Sequence, residues 1–377
     1  MISFVVPAYN EERLLGRTLA AIHTAVRPLT CPYEVIVVDD GSTDETGVIA
    51  AAHGARVVRV EHRQIARTRN AGARAATGQT LIFVDADTVV ATPTIRASLG
   101  ALRDGAIGGG ADVDFDGELA PWARLTLPVV RAVLRAGQLA AGCYVFCTRD
   151  AFDRVGGFDE RLYASEEIAF SRALQRHGRV VIVKEPVVSS GRKLRVNSGR
   201  DVVRLCGRLA RHGTALVRSR DHLSVWYGAR REDVPSEIDH LASRFVACTL
   251  PKSEWTHTAH LKVGAWHVDR YGPAEALRRL RVGIRRLNDS HGTVNSATSG
   301  YHETVTAAYV RLLAAFLEAC PAGMPLEKRI ERLVSGPLAD KNVLLAFYAR
   351  DTLMSARARA EWIEPDTAPL SIGSLIL

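Results

Sequence analysis

Two aspartates one residue apart, Asp85 and Asp87, directly follow the apolar run Leu81-Ile82-Phe83-Val84. On an extended segment residues two apart project to the same side, so both carboxylates can face one ligand. Facing one way they repel, unless a cation or a donor lies between them. A hard divalent ion carrying a diphosphate would suit them. A strand running into an acidic turn also produces D-x-D, so the pair gains meaning only from its company. Asp39-Asp40 follow a second apolar run, and Glu166-Glu167 open a helical pattern that runs through Leu174. Farther on, His257 and His260 are three apart in a helical pattern, and His302 opens another.

The elements that carry these residues alternate. Residues 3–7 read as a short buried strand stopped by Pro7, and Asn10 as the N-cap of a helix with Leu14, Leu15, Leu19 and Ile22 at helical spacing. Residues 33–38 form a second strand, after which Gly41 supplies a tight turn. A third unit runs through 55–60, and a helix over 65–76 precedes the strand that ends at Asp85. Strand and helix alternating three times predict parallel strands with right-handed crossovers. Ligands in open α/β sheets bind at the carboxyl ends of the strands, where these acids lie. No G-x-G-x-x-G follows the first strand. Gly108-Gly109-Gly110 lacks the Lys-Ser/Thr of a P-loop and reads as a flexible turn.

At 377 residues the natural expectation is two domains. Hydrophobic residues at 47% and charged residues at 24% are those of ordinary globular chains, and no apolar run approaches the roughly 18 residues that cross a bilayer. The N-terminus has no basic n-region, and the six cysteines form no C-x-x-C pair. A cytoplasmic protein is expected. A net charge of +8 points to phosphorylated substrates or an anionic membrane surface ahead of nucleic acid, for which no motif is present. The basic stretch from Arg192 to Arg231 reads first as a helix with a solvated face. Its second reading is peripheral contact with anionic lipid.

Val5-Val6-Pro7-Ala8-Tyr9-Asn10-Glu11, Val37-Val38-Asp39-Asp40-Gly41-Ser42-Thr43-Asp44, Arg67-Thr68-Arg69-Asn70-Ala71-Gly72 and Val84-Asp85-Ala86-Asp87 occur in that order. Gly156-Gly157-Phe158-Asp159-Glu160 follows, with Ser165-Glu166-Glu167-Ile168 after it. Together, over about residues 1–232, they resemble family 2 glycosyltransferases. The resemblance implies the GT-A fold, a mixed and mostly parallel α/β sheet flanked by helices. It also implies a nucleotide-diphospho-sugar donor (a UDP- or GDP-sugar), Mn2+ or Mg2+, and an inverting transfer. Pro7, Tyr9 and Glu11 then belong to the donor side, and family position puts Arg69 near the donor phosphates. Ser190 and Arg192 resemble the segment that closes over the diphosphate.

Beside that resemblance, Asp39 or Asp40 suits a nucleobase or ribose hydroxyl, Asp39 being the better candidate; either also suits a helix cap. Asp87 is expected to hold the metal, with Asp85 contacting the ribose or seconding the ion. An inverting transfer needs one base to take the acceptor proton. Glu167 falls where the family has an aspartate, one methylene longer. Glu166 competes for that role or orients the acceptor, since adjacent helical residues point about 100° apart. Both also suit a helix's first turn electrostatically. Q-x-x-R-W is absent, which favours transfer of a single sugar. The acceptor, whether small molecule, lipid-linked or glycan, is not named by the sequence.

Past the charged run 229–235 the alternation stops, and residues 236–377 read as an all-helical accessory domain. Helices are expected after Ser236 and Ser253, after Pro273, around Leu312, over 325–334 and over 338–349. The domain is similar to small helical proteins of unknown function. His257, His260 and His302 are candidates for a second metal site, although H-E-x-x-H is absent. Two rival readings follow. In one the first domain is a nucleotidyltransferase, against which the missing Gly-rich loop with lysine counts. In the other it is a nucleotide-sugar-binding module, and the chemistry lies with the histidines.

Overall fold

A computed structural model of the chain describes residues 1–117, 119–192, 194, 236–321 and 324–373. The helical reading of 198–226, the charged run 229–235 and the basic stretch beyond Arg192 lie outside the described residues. The chain divides into two units, Met1–Asp233 and Val234–Leu377.

In the first unit strands β1 (Ile2–Ala8), β2 (Tyr33–Asp40), β3 (Arg56–Val60), β4 (Thr80–Val84), β5 (Thr88–Val89), β6 (Ala106–Phe115), β7 (Tyr144–Thr148) and β8 (Arg179–Ser189) form one sheet. Their order is β3-β2-β1-β4-β7-β6-β8-β5. The β3–β2–β1–β4 run is parallel throughout, as the alternation requires. β7 runs antiparallel to both of its neighbours, and β8 returns parallel to β6. Helices α1 (Leu15–Val26), α2 (Thr46–Ala52), α3 (Ile65–Ala75), α4 (Thr92–Arg103), α5 (Pro121–Ala136), α6 (Arg149–Val155) and α7 (Glu166–Gln175) intervene. The expected GT-A architecture, a mixed and mostly parallel sheet with helices against it, is therefore present. Val5, Val38, Phe83, Val145, Phe158 and Phe170 meet in its core. α3 lies so close to β1 and β2 that a Cβ on Gly72 would stand 2.2 Å from a methyl of Val5.

Three local expectations are corrected. Pro7 does not stop β1, which pairs with β2 as far as Ala8↔Asp39; only the ladder to β4 ends early, at Val5↔Phe83. Asn10 does not cap α1. Its side chain accepts from the Thr43 amide and so joins the first strand's loop to the second's. Gly108-Gly109-Gly110 is no turn but the middle of β6, between β7 and β8. A Cβ at Gly109 would lie 1.8 Å from the Val181 carbonyl oxygen.

The second unit is helical: Glu237–Val246, His257–Ser290, Glu303–Ala319 and Leu326–Val334 are its longer helices. Ser236 caps the first through a reciprocal bond with Asp239. The second starts at Thr256, not Ser253, and is interrupted at Gly272, whose φ of 73° precedes Pro273. The helix expected over 338–349 is instead two 3-10 turns, Pro337–Ala339 and Val343–Ala346. No helix among the described residues is long and apolar enough to cross a membrane.

Candidate active site

The site grows outward from Arg69, which α3 projects beneath the end of β4. Its side chain is 2% exposed, and the guanidinium donates to Glu166 at 2.6 Å, to Asp85 at 2.8 Å and to the Gly142 carbonyl at 2.7 Å. A buried arginine is tolerable only with such compensation. Asn70, the next residue, grips the Gly-Gly-Phe segment by donating to the Phe158 carbonyl and accepting from its amide. Gln64 donates to the Glu160 and Leu162 carbonyls. One helix therefore positions both the D-x-D and the stretch that leads into α7.

At the start of α7 the two glutamates separate as helical geometry demands. Glu166 turns inward to Arg69 and is buried. Glu167 is half-buried, and a Cβ on Gly142 would lie 3.5 Å from its Oε1. Burial and the neighbouring Glu166 charge push its carboxyl up to about 8, against the opposing pull of Arg69. Among the described residues its own backbone amide is the one hydrogen-bond donor to that carboxyl group.

A second cluster closes the other side. The chain leaving β8 returns to the D-x-D: the Ser190 amide donates to the Asp87 carbonyl, and the Gly191 amide to Asp116. Arg192 then donates to both oxygens of Glu11, at 2.7 and 2.9 Å, and to Asp87 Oδ2 at 2.9 Å. Glu11, Asp85, Asp87, Ser190 and Arg192 thus share one end of the sheet. Asp85 Oδ2 and Asp87 Oδ1 carry no hydrogen bond among the described residues. Among those residues no three His, Cys, Asp or Glu side chains form a metal-holding group. Two carboxylates with an open oxygen each nevertheless fit an ion that brings diphosphate oxygens and water for its other positions.

The remaining candidates divide. Asp39 accepts from the Ser42 amide through Oδ1. Asp40 is fully engaged: Oδ1 takes the His62 and Arg63 amides, and Oδ2 takes the Gln64 amide and the Thr68 hydroxyl. It organises the entry to α3 and leaves no oxygen over for a ligand. Tyr9 is exposed, with the Arg63 guanidinium 3.9 Å over its ring, and Pro7 is buried within β1.

The histidines are not brought together as a metal site. His302 is an N-cap: one ring nitrogen accepts from the Val305 amide while the other pairs with the Leu353 carbonyl. His260 bonds the Thr256 carbonyl and stacks on Trp255, and His257 faces the Leu338 carbonyl. Burial holds His260 and His302 below the ordinary histidine range. Sequence reasoning missed Gly142 and Asp116. Neither sits in a recognisable motif, and each matters through a partner distant in the chain.

Residues 3–156 match the family described as "Glycosyl transferase family 2". Over 110 residues the chain is 34% identical to validoxylamine A glucosyltransferase of Streptomyces hygroscopicus subsp. limoneus, covering 27% of this chain and 23% of that protein. Over 100 residues it is 41% identical to dolichyl-phosphate beta-glucosyltransferase of Drosophila melanogaster, covering 23% of this chain and 30% of that one. The chain thus spans less than a third of the length of these curated relatives. Among solved structures, a mannosyltransferase from Pyrobaculum calidifontis in complex with GDP-Man and Mn2+ superposes with a TM-score of 0.42 at 19% identity. That superposition covers 83% of this chain and 85% of the other.

Proposed function

Residues 3–156 of this chain are a glycosyl transferase family 2 segment, and from that premise we propose that it transfers a single sugar, with inversion, from a UDP- or GDP-sugar to an acceptor hydroxyl. Glu167 is the base, Asp87 holds Mn2+ or Mg2+, and Asp85 serves the donor or seconds the ion. The observation that carries the reading is Glu167 itself. It is a half-buried carboxyl that no other side chain hydrogen-bonds among the described residues, pushed up to about 8 by burial and the Glu166 charge, within the field of Arg69 and Asp85.

In a single displacement the acceptor oxygen attacks the anomeric carbon while Glu167 takes its proton. The bond from that carbon to the diphosphate oxygen breaks, and the nucleoside diphosphate departs. A bound divalent ion supplies charge neutralisation for the departing diphosphate. Arg192, beside Asp87, adds a guanidinium on the same side. Arg69 stays out of contact with the donor in this reading. It holds Asp85 and Glu166 in place and keeps their charge from raising Glu167 further. Asp39 and Tyr9 take the nucleoside end, with Pro7 behind them. The histidine-bearing unit is an accessory domain. The relatives' names span a lipid phosphate and a small molecule, so the acceptor class is left at a hydroxyl of a small molecule, lipid-linked compound or glycan.

A thermal-shift panel of nucleotide sugars tests the donor assignment. UDP- or GDP-sugars are expected to raise the melting temperature only with Mn2+ or Mg2+ present, and Asp87→Ala is expected to abolish that dependence along with most of the binding. Equal binding without metal would remove Asp87 from the role.

A further inference from the structure

Two arginines meet the D-x-D, and they hold it on different terms. Arg69 divides its bonds between two nitrogens: Nη1 serves Glu166, while Nη2 serves Asp85 Oδ1 and the Gly142 carbonyl. Arg192 reaches Glu11 Oε1, Glu11 Oε2 and Asp87 Oδ2 through one nitrogen, Nη2. That nitrogen has two hydrogens, so the three acceptors share them and each bond is weaker than an unshared one. Arg69 is also planted in the middle of α3, whereas Arg192 lies beyond the end of β8.

The backbone on both sides of the Glu11–Arg192 bond is pinned. Ser189 pairs with Thr88, the Ser190 amide donates to the Asp87 carbonyl, and the Gly191 amide donates to Asp116. The Glu11 amide donates to the Thr46 hydroxyl, and its carbonyl accepts from the Leu14 and Leu15 amides. The Arg192 side chain is therefore the part that can move. Its charge makes it a competitor for Asp87. A divalent ion on Asp87 Oδ1 and a guanidinium on Oδ2 share one carboxylate. The two side chains are only 13% and 10% exposed, so water screens the repulsion between those cations poorly. A nucleoside diphosphate reverses the balance, because its oxygens offer the guanidinium a new anion and also ligate the ion.

We propose that Arg192 is the resident counter-cation of the donor crevice, parked between Glu11 and Asp87. It keeps a free divalent ion off Asp87 and passes to the diphosphate when the donor enters. The ion is thereby admitted with the nucleotide and not ahead of it. The placing of the ion at Asp87 comes from the transfer reading above, and the proposal rests on it.

Mn2+ binding by the full chain, followed through the electron paramagnetic resonance signal of the free ion with no nucleotide present, tests the competition. Arg192→Ala is expected to bind Mn2+ at least about tenfold more tightly than the unaltered protein. Arg192→Gln, which keeps a donor for Glu11 and drops the charge, must move in the same direction, and it serves if the alanine variant does not fold. Arg192→Lys keeps the charge and should bind Mn2+ about as weakly as the unaltered protein. By reciprocity, the gain in Mn2+ affinity on adding UDP or GDP should be smaller in Arg192→Gln than in the unaltered protein. Unchanged or weaker Mn2+ binding in the alanine and glutamine variants overturns the competition and leaves the transfer reading standing. A gain that persists when Asp87→Ala is added also overturns it, by placing the ion elsewhere. An ion that binds none of these proteins, with or without UDP or GDP, removes the metal from the transfer reading and the proposal with it.

Discussion

At the scale of single residues, Arg69 and Glu167 define what this crevice can do. One guanidinium answers Asp85 and Glu166 and leaves Glu167 without a side-chain hydrogen bond among the described residues. Because its carboxyl is pushed up to about 8, its ionised and proton-accepting form grows as pH rises. Transfer at subsaturating substrate should therefore climb through neutrality and level off above about 8. An ordinary glutamate would have levelled near pH 4–5. Glu167→Gln is expected to keep donor binding while transfer drops about 10²–10⁴-fold and the rising limb disappears. A flat profile in the unaltered protein would move the base elsewhere. The acids themselves were legible in the sequence, as was their separation on α7. Which of them Arg69 neutralises was not, since Arg69 and Glu166 stand 97 positions apart.

Elements explain why the motifs hang together. Asp85 and Asp87 could be placed because an apolar run leads into them, and the parallel half of the sheet followed from simple alternation. The other half could not be read that way. Three glycines have none of the β-branched character that marks a strand, and their cause is contact with β7 and β8, which the local sequence does not encode. Gly109→Ala is expected to force β6 and β8 apart and to cost about 1–3 kcal/mol or more in urea denaturation. Gly105→Ala should be milder: nothing lies within 4 Å of a Cβ there, and only its positive φ of 87° opposes the change. Equal effects would mean that the close approach at β6 is not tight.

For the whole molecule, two units with separate helical and sheet-based interiors are expected to melt in two calorimetric transitions. A nucleotide sugar with Mn2+ should raise only the transition belonging to residues 1–233, by mass action on the folded form. A shift in both would couple the helical unit to the donor. The last feature to draw out is the Glu11–Arg192 bond, which spans 181 positions. On the ribosome, β1 to β4 can pair as soon as they emerge, because their ladders are local in order. Glu11 and Asp87 must then wait for nearly the whole unit to be synthesised before a guanidinium arrives between them. Closing that long loop comes late in entropy as well as in time. The cluster of Glu11, Asp87 and Arg192 is thus completed only after all eight strands have been synthesised, and fragments ending before residue 192 lack the guanidinium that joins its two acids.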